Sequence, residues 1–175
     1  MKILTLLRHA KSGWDDPSLR DFDRPLNPRG RRAAATVGRE MRRLGLGFDV
    51  VVASPARRVI ETLDEVEKAF GTLAPCYDQR LYLAPPETLL EVARETGEEA
   101  ESLLLVGHNP GLEELVLRLS AKGALRGEAE VKYPTATLAE MRFDVASWRQ
   151  LRDGAATLAR FVRPRDLDPA LGPEE

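Results

Sequence analysis

Three short apolar runs constrain any fold of this chain: KILTLL (2–7), VVVA (50–53) and SLLLV (102–106). They are rich in aliphatic residues and do not alternate with polar ones, which predicts strands covered on both faces. Segments with helical spacing lie between them. In NPRGRRAAATVGREMRRLG, Ala34, Val37, Met41 and Leu44 share one stripe. Asn27 can cap that helix, Pro28 suits its first position and Gly45 its end. In SPARRVIETLDEVEKAFG, Val59, Leu63, Val66 and Phe70 share a stripe. Ser54 is the expected N-cap, Pro55 fits the first turn and Gly71 is the stop. A third helix is expected over about 86 to 96, with Leu89, Leu90, Val92 and Ala93 inward before Gly97. A fourth is expected after Pro110, burying Leu112, Leu115, Val116 and Leu119. Further strands are expected near 137–144 and 156–162, with VASWRQLRDG as a connection or hairpin between them. This alternation predicts an α/β protein, a three-layer α/β/α sandwich with a mostly parallel central sheet.

The 175 residues suit one domain with a sizeable core, expected over 1–163, with 164–175 as a loose or surface-laid tail carrying three prolines. With 43% hydrophobic and 31% charged residues, the chain matches neither a disordered nor a membrane protein. MKILTLLRHA has a lysine and an apolar run like a signal peptide. The run stops at Arg8 and no small-residue cleavage site follows, so it reads as a first strand and the protein as cytoplasmic. Cys76 has no partner for a disulfide within the chain, fits a reducing compartment and is expected to be a small core residue. A net charge of −2 with mixed signs gives no electrostatic case for nucleic acid. Arginine outnumbers lysine 21 to 5, but the bias runs over the whole chain and marks no site.

Each buried run ends in a polar cluster: Arg8-His9, then SPARR (54–58), then GHNPG (107–111). Ligands of open α/β sheets bind outside the carboxyl ends of the strands. If the three strands are parallel, Arg8, His9, Arg58 and His108 converge, and both histidines of the chain are among them. Two arginines offer planar forks of donors matched to phosphate oxygens. A neutral imidazole is a competent nucleophile near neutral pH. Helix starts at Ser54 and near Pro110 would add N–H donors for the same anion. Phosphoryl transfer needs little more than in-line positioning and charge stabilisation. Two histidines so far apart, with no HxxxH or cysteine cluster, imply no metal, and no cofactor is implied.

The same residues resemble a known family. LLRHAKS resembles the RH motif of the histidine phosphatase superfamily, whose fold is phosphoglycerate mutase-like. DFDRPLNPRGRRAA, SPARRVIET and LLLVGHNPGLEEL are similar, in order, to segments of its small SixA-type phosphohistidine phosphatases. The resemblance spans roughly residues 3 to 120. It implies that His9 is the nucleophile of a phosphohistidine intermediate, with Arg8, Arg58 and His108 holding the phosphoryl group and His108 protonated in the transition state. Arg58 rather than Arg57 lies four residues after Ser54, where the family arginine stands; neighbouring helical side chains point about 100° apart.

Glu61 and Val59 replace a family glutamine and alanine at positions that are not catalytic. Acid-phosphatase relatives carry an aspartate after the second histidine, where this chain has Asn109. Glu87, in LYLAPPETLLE, is a weak candidate for a general acid. A phosphoramidate leaves readily once its ring is protonated, so the missing acid favours phosphohistidine in proteins as substrate. The alternatives are a broad small-molecule phosphomonoesterase and a phosphate-binding module without turnover. Expected partners are a phosphorylated protein or small phosphorylated molecule, with no nucleic acid or membrane. Lys11, Ser12 and Trp14 are candidates for the pocket rim, and Asp21, Asp23 and Arg24 are expected to fix the loop into the first helix.

Overall fold

The structure, a computed structural model, describes residues 1–172. Strands β1 (Lys2–Arg8), β2 (Val50–Ala53), β3 (Cys76–Tyr77), β4 (Ser102–Gly107), β5 (Leu138–Phe143) and β6 (Thr157–Val162) form one sheet in the order β3-β2-β4-β1-β5-β6. The pairs β3–β2, β2–β4 and β4–β1 are parallel; β5 and β6 add an antiparallel edge. Helices are α1 (Pro28–Arg43), α2 (Arg57–Phe70), α3 (Pro86–Arg94), α4 (Gly111–Leu119), α5 (Ala124–Val131) and α6 (Pro164–Leu167). The mostly parallel three-layer sandwich is the expected fold.

The missing alternation now has its physical reason. Leu4, Leu6, Leu103 and Leu105 pack with α3 and α4, while Leu7, Leu104 and Val106 pack with α1 and α2. Both faces are apolar because both are roofed. Each fully buried leucine contributes about 1.5–3 kcal/mol relative to exposure.

The parallel register sets the strand ends level. Arg8 pairs with Gly107 and Ala53 with Val106, so the chain leaves β1, β4 and β2 side by side. Asn27 caps α1, its side chain accepting from Gly30 N at 2.7 Å, and Gly45 follows the helix at φ +68°. Gly30 also permits a close approach: a Cβ there would meet the Lys11 carbonyl at 2.1 Å, against the loop after His9.

Several expectations are corrected. Helix α2 starts at Arg57 with Ala56 as its cap, because the Ser54 side chain is committed elsewhere. Cys76 is exposed, not core, because it lies on the two-residue edge strand β3. Helix α5 lacks an apolar stripe strong enough to predict, and buries only Ala129. The segment for which a loose or surface-laid tail is expected is not among these corrections: it carries α6 and the turn Pro169–Leu171. Leu171 is buried and Asp168 pairs with Arg32 of α1 at 2.7 Å. Residues 173–175 of that segment lie outside the described residues.

Candidate active site

The backbone holds His9 on three sides. Its N–H donates to Gly107 O at 3.0 Å, continuing the β1–β4 ladder, and its carbonyl accepts from Ala136 N at 3.0 Å. The next amide, Ala10 N, donates to Thr62 Oγ1 at 2.9 Å, and that hydroxyl donates to Arg58 O at 2.7 Å. Strand β1 is thereby pinned to the first turn of α2, which fixes the nucleophile candidate against Arg58.

Ring chemistry follows from the partners. His9 Nδ1 lies 2.7 Å from the Ala10 carbonyl, which can only accept, so the proton is on Nδ1 and the lone pair on Nε2. His108 Nδ1 lies 3.3 Å from an Arg58 amino group, which can only donate, so the proton of His108 is on Nε2 and goes to Ser54 Oγ at 2.8 Å. Ser54 Oγ also accepts from Ala56 N, which is why it orients His108 and does not cap a helix. The two imidazole centroids are 5.2 Å apart.

Both rings are held neutral. Burial is the main cause for His9, opposed by the Ala10 bond and reinforced by the neighbouring His108 and by the charges of Arg8 and Arg58, and the pKa falls well below 6.5. His108 is pushed to about 3 by burial and then by Arg58, with Asp21 opposing and Arg8 adding. A neutral His9 keeps its lone pair throughout the physiological range.

Arg58 is buried at 2% exposure, whereas Arg57 is exposed and pairs with Glu61 at 2.8 Å. Asp21 orients Arg58, accepting on its carbonyl at 2.7 Å and on Oδ2 at 3.0 Å. The same carboxylate accepts from the Tyr82 hydroxyl at 2.5 Å and from Arg24 at 3.1 Å. Burial would raise its pKa, but these hydrogen bonds and the Arg58 charge outweigh that and hold it at about 2. Arg58 Nε has no hydrogen-bond partner among the described residues, which leaves a buried donor for an incoming oxyanion. Arg8 donates to Tyr133 O at 3.0 Å.

Arg8, His9, Arg58 and His108 line a single pocket of about 290 Å³. Lys11, Ser12 and Trp14 line it as well, together with Arg24, which was expected only to fix a loop. Arg24 does both, donating to Asp21 and to Ser12 Oγ. No carboxylate is among the described residues lining the pocket. Glu87, the weak general-acid candidate, lies outside it, with its side chain 70% exposed and 3.5 Å from Arg118. Among the described residues no cluster of three His, Cys, Asp or Glu side chains could hold a metal. Thr62, Tyr82 and Tyr133 were not singled out from sequence. Thr62 falls one helical turn after Arg58, a signal that was available; Tyr82 and Tyr133 reach the site across 61 and 125 residues and carry none.

The sequence profile of the histidine phosphatase superfamily (branch 1) matches residues 4–82, a span that holds His9 and Arg58. The chain belongs to the histidine phosphatase superfamily. An uncharacterized protein of Mycobacterium tuberculosis is 35% identical over 164 residues, covering 91% of this chain and 100% of the relative. Among solved structures, a candidate phosphohistidine phosphatase SixA from Agrobacterium tumefaciens is 29% identical with a TM-score of 0.79. It aligns with 93% of this chain and 98% of its own. Its counterpart from Nakamurella multipartitia is 29% identical with a TM-score of 0.77, over 93% and 96%. The superfamily supports phosphatase activity on phosphorylated substrates, and no helix among the described residues is long and apolar enough to cross a membrane.

Proposed function

We propose that the protein hydrolyses phosphohistidine carried on proteins, through a phosphoryl group held transiently on His9. The observation that carries this reading is the pairing of a pre-oriented neutral His9 with a cationic pocket whose lining, among the described residues, holds no carboxylate. The His9 Nε2 lone pair forms a bond to phosphorus while the bond from phosphorus to the substrate's ring nitrogen breaks. That nitrogen takes the electron pair. When the other ring nitrogen already carries a proton, the departing histidine leaves neutral and needs no acid from the enzyme. The positive charge that develops on His9 is stabilised through Nδ1–H by the Ala10 carbonyl. Arg8 and Arg58 compensate the equatorial oxygens. His108, neutral at rest through burial first and Arg58 second, is drawn toward its protonated form as the dianion arrives, because the added negative charge opposes the Arg58 and Arg8 contributions. Water then attacks phosphorus, the bond to His9 Nε2 breaks with its electron pair returning to the ring, and phosphate is released. A single cysteine and the absence of any spanning helix among the described residues support a cytoplasmic setting.

Phosphate release in chelator, from a phosphohistidine-bearing domain and from an aryl phosphate, tests the reading. A preference for the former by at least about a hundredfold is expected, the scale of one general acid missing for the ester. Comparable turnover of the ester, with a steep loss on Glu87→Gln, would overturn it in favour of the phosphomonoesterase. Binding without any release would favour the binding module.

A further inference from the structure

We propose that Trp14 and Leu83 form an apolar docking rim for the protein that carries the phosphoryl group. The inference rests on the phosphohistidine reading and adds where the carrier is gripped. Five large hydrophobic side chains are exposed among the described residues, and two of them, Trp14 at 72% and Leu83 at 53%, line the same pocket as His9.

Both are presented by rigid surroundings. The Arg24 guanidinium lies 3.4 Å over the Trp14 ring centroid. Arg24 is itself 7% exposed and held by Asp21, Ser12 and Gly13, so the indole rests on a fixed platform with most of its surface in solvent. Leu83 adopts φ +50°, a conformation that leucine rarely tolerates and that persists where its neighbours dictate it. They do: on one side Tyr82 is bonded to Asp21. On the other, Ala84 sits so close to α4 that a Cβ on Gly111 would meet its carbonyl at 2.0 Å. The backbone is therefore locked with an isobutyl group aimed at solvent beside a pocket for an anion.

A division of labour follows. The cations Arg8, Lys11, Arg24 and Arg58 suit the phosphoryl group, while the apolar rim has nothing to offer a small charged ester. A protein surface around the phosphorylated histidine would bury both side chains, and a pre-ordered aromatic anchor loses little entropy on doing so.

The test compares kcat/KM on a phosphohistidine-bearing protein domain and on phosphoramidate, the smallest P–N substrate, for wild type, Trp14→Ala and Leu83→Gly. Glycine keeps the positive φ, so the second variant retains the backbone if the first misfolds. Each variant is expected to lose about tenfold more kcat/KM on the protein than on phosphoramidate, mainly through KM. Equal losses on both substrates would reveal a structural role and overturn the rim. Unchanged turnover of the protein by the variants would overturn the rim alone. A wild type active on phosphoramidate but not on the protein would instead overturn the phosphohistidine-protein reading, and the rim with it.

Discussion

Strand β1 carries a cation at each of its ends, Lys2 buried and Arg8 half-buried, and the two ends are built on different principles. At the start, Lys2 is 4% exposed and its Nζ donates to Glu98 O and Ala100 O, both at 2.8 Å, with the Trp148 ring 5.6 Å away. Trp148 Nε1 closes the cluster by donating to the same Ala100 carbonyl. At the other end, burial first and then the charges of Arg8 and Arg58 lower the pKa values of two imidazoles, and Arg58 Nε keeps no hydrogen-bond partner among the described residues. Lys2 is matched by fixed acceptors and asks for nothing further. At the Arg8 end Arg58 and Arg24 share the Asp21 carboxylate, while the pocket lining gathers Arg8, Lys11, Arg24 and Arg58 with no carboxylate among the described residues, a setting that favours an oxyanion. Burial of a charge therefore does not mark a functional site; cations converging on one pocket do.

The largest expected effect breaks the Arg8 end. Arg58→Ala should lower kcat/KM by about 10²- to 10³-fold, the scale of removing one donor that stabilises transition-state charge. Arg57→Ala removes an exposed pair with Glu61 and should cost less than about threefold. The reverse ranking, in steady-state phosphate release, would place the phosphate contact on the other face of α2.

Lys2→Met tests the matched end. It leaves the Glu98 carbonyl short of its buried donor, so denaturant unfolding should show a loss of about 1–3 kcal/mol while kcat/KM stays at the wild-type value. Loss of turnover without loss of stability would erase the contrast.

The smallest effect sharpens it through pH. An unfolded histidine takes up its proton near 6.5, and folded His108 only near 3. The unfolded state binds more protons between those values, so stability rises with pH across that window and falls on acidification. Between pH 6.5 and pH 5 the cost from this residue is about 2 kcal/mol, and His9 adds in the same direction. His108→Asn should flatten the decline. A variant as acid-sensitive as wild type would mean that His108 is not held neutral.

The parts of this molecule that could be read from sequence are those with short-range causes. Both faces of β1, β2 and β4 being roofed leaves unbroken apolar runs, and Asn27, Pro28 and Gly45 each mark an end of α1 through local backbone chemistry. The convergence of Arg8, His9, Arg58 and His108 followed from parallel strands with level ends. Long-range partners left no such trace. Ser54 looks like a helix cap until His108, 54 residues away, is seen to claim its hydroxyl. Asp21 reads as a loop residue until Arg58 and Tyr82 meet on its carboxylate. Cys76 has an apolar neighbourhood in sequence and an open edge in space. Leu83 has no sequence mark at all, since its positive φ is imposed by Tyr82 and Ala84 being anchored to different elements.

The most direct test of the central claim is to trap the phosphorylated enzyme. Wild type and His9→Ala are mixed with radiolabelled phosphoramidate, quenched in alkali within the first turnover, digested and mapped. An acid-labile, alkali-stable label on the peptide carrying His9, absent from the variant together with its turnover, is the expected result. A label retained in His9→Ala, or mapped to His108 in wild type, would contradict the assignment of the nucleophile.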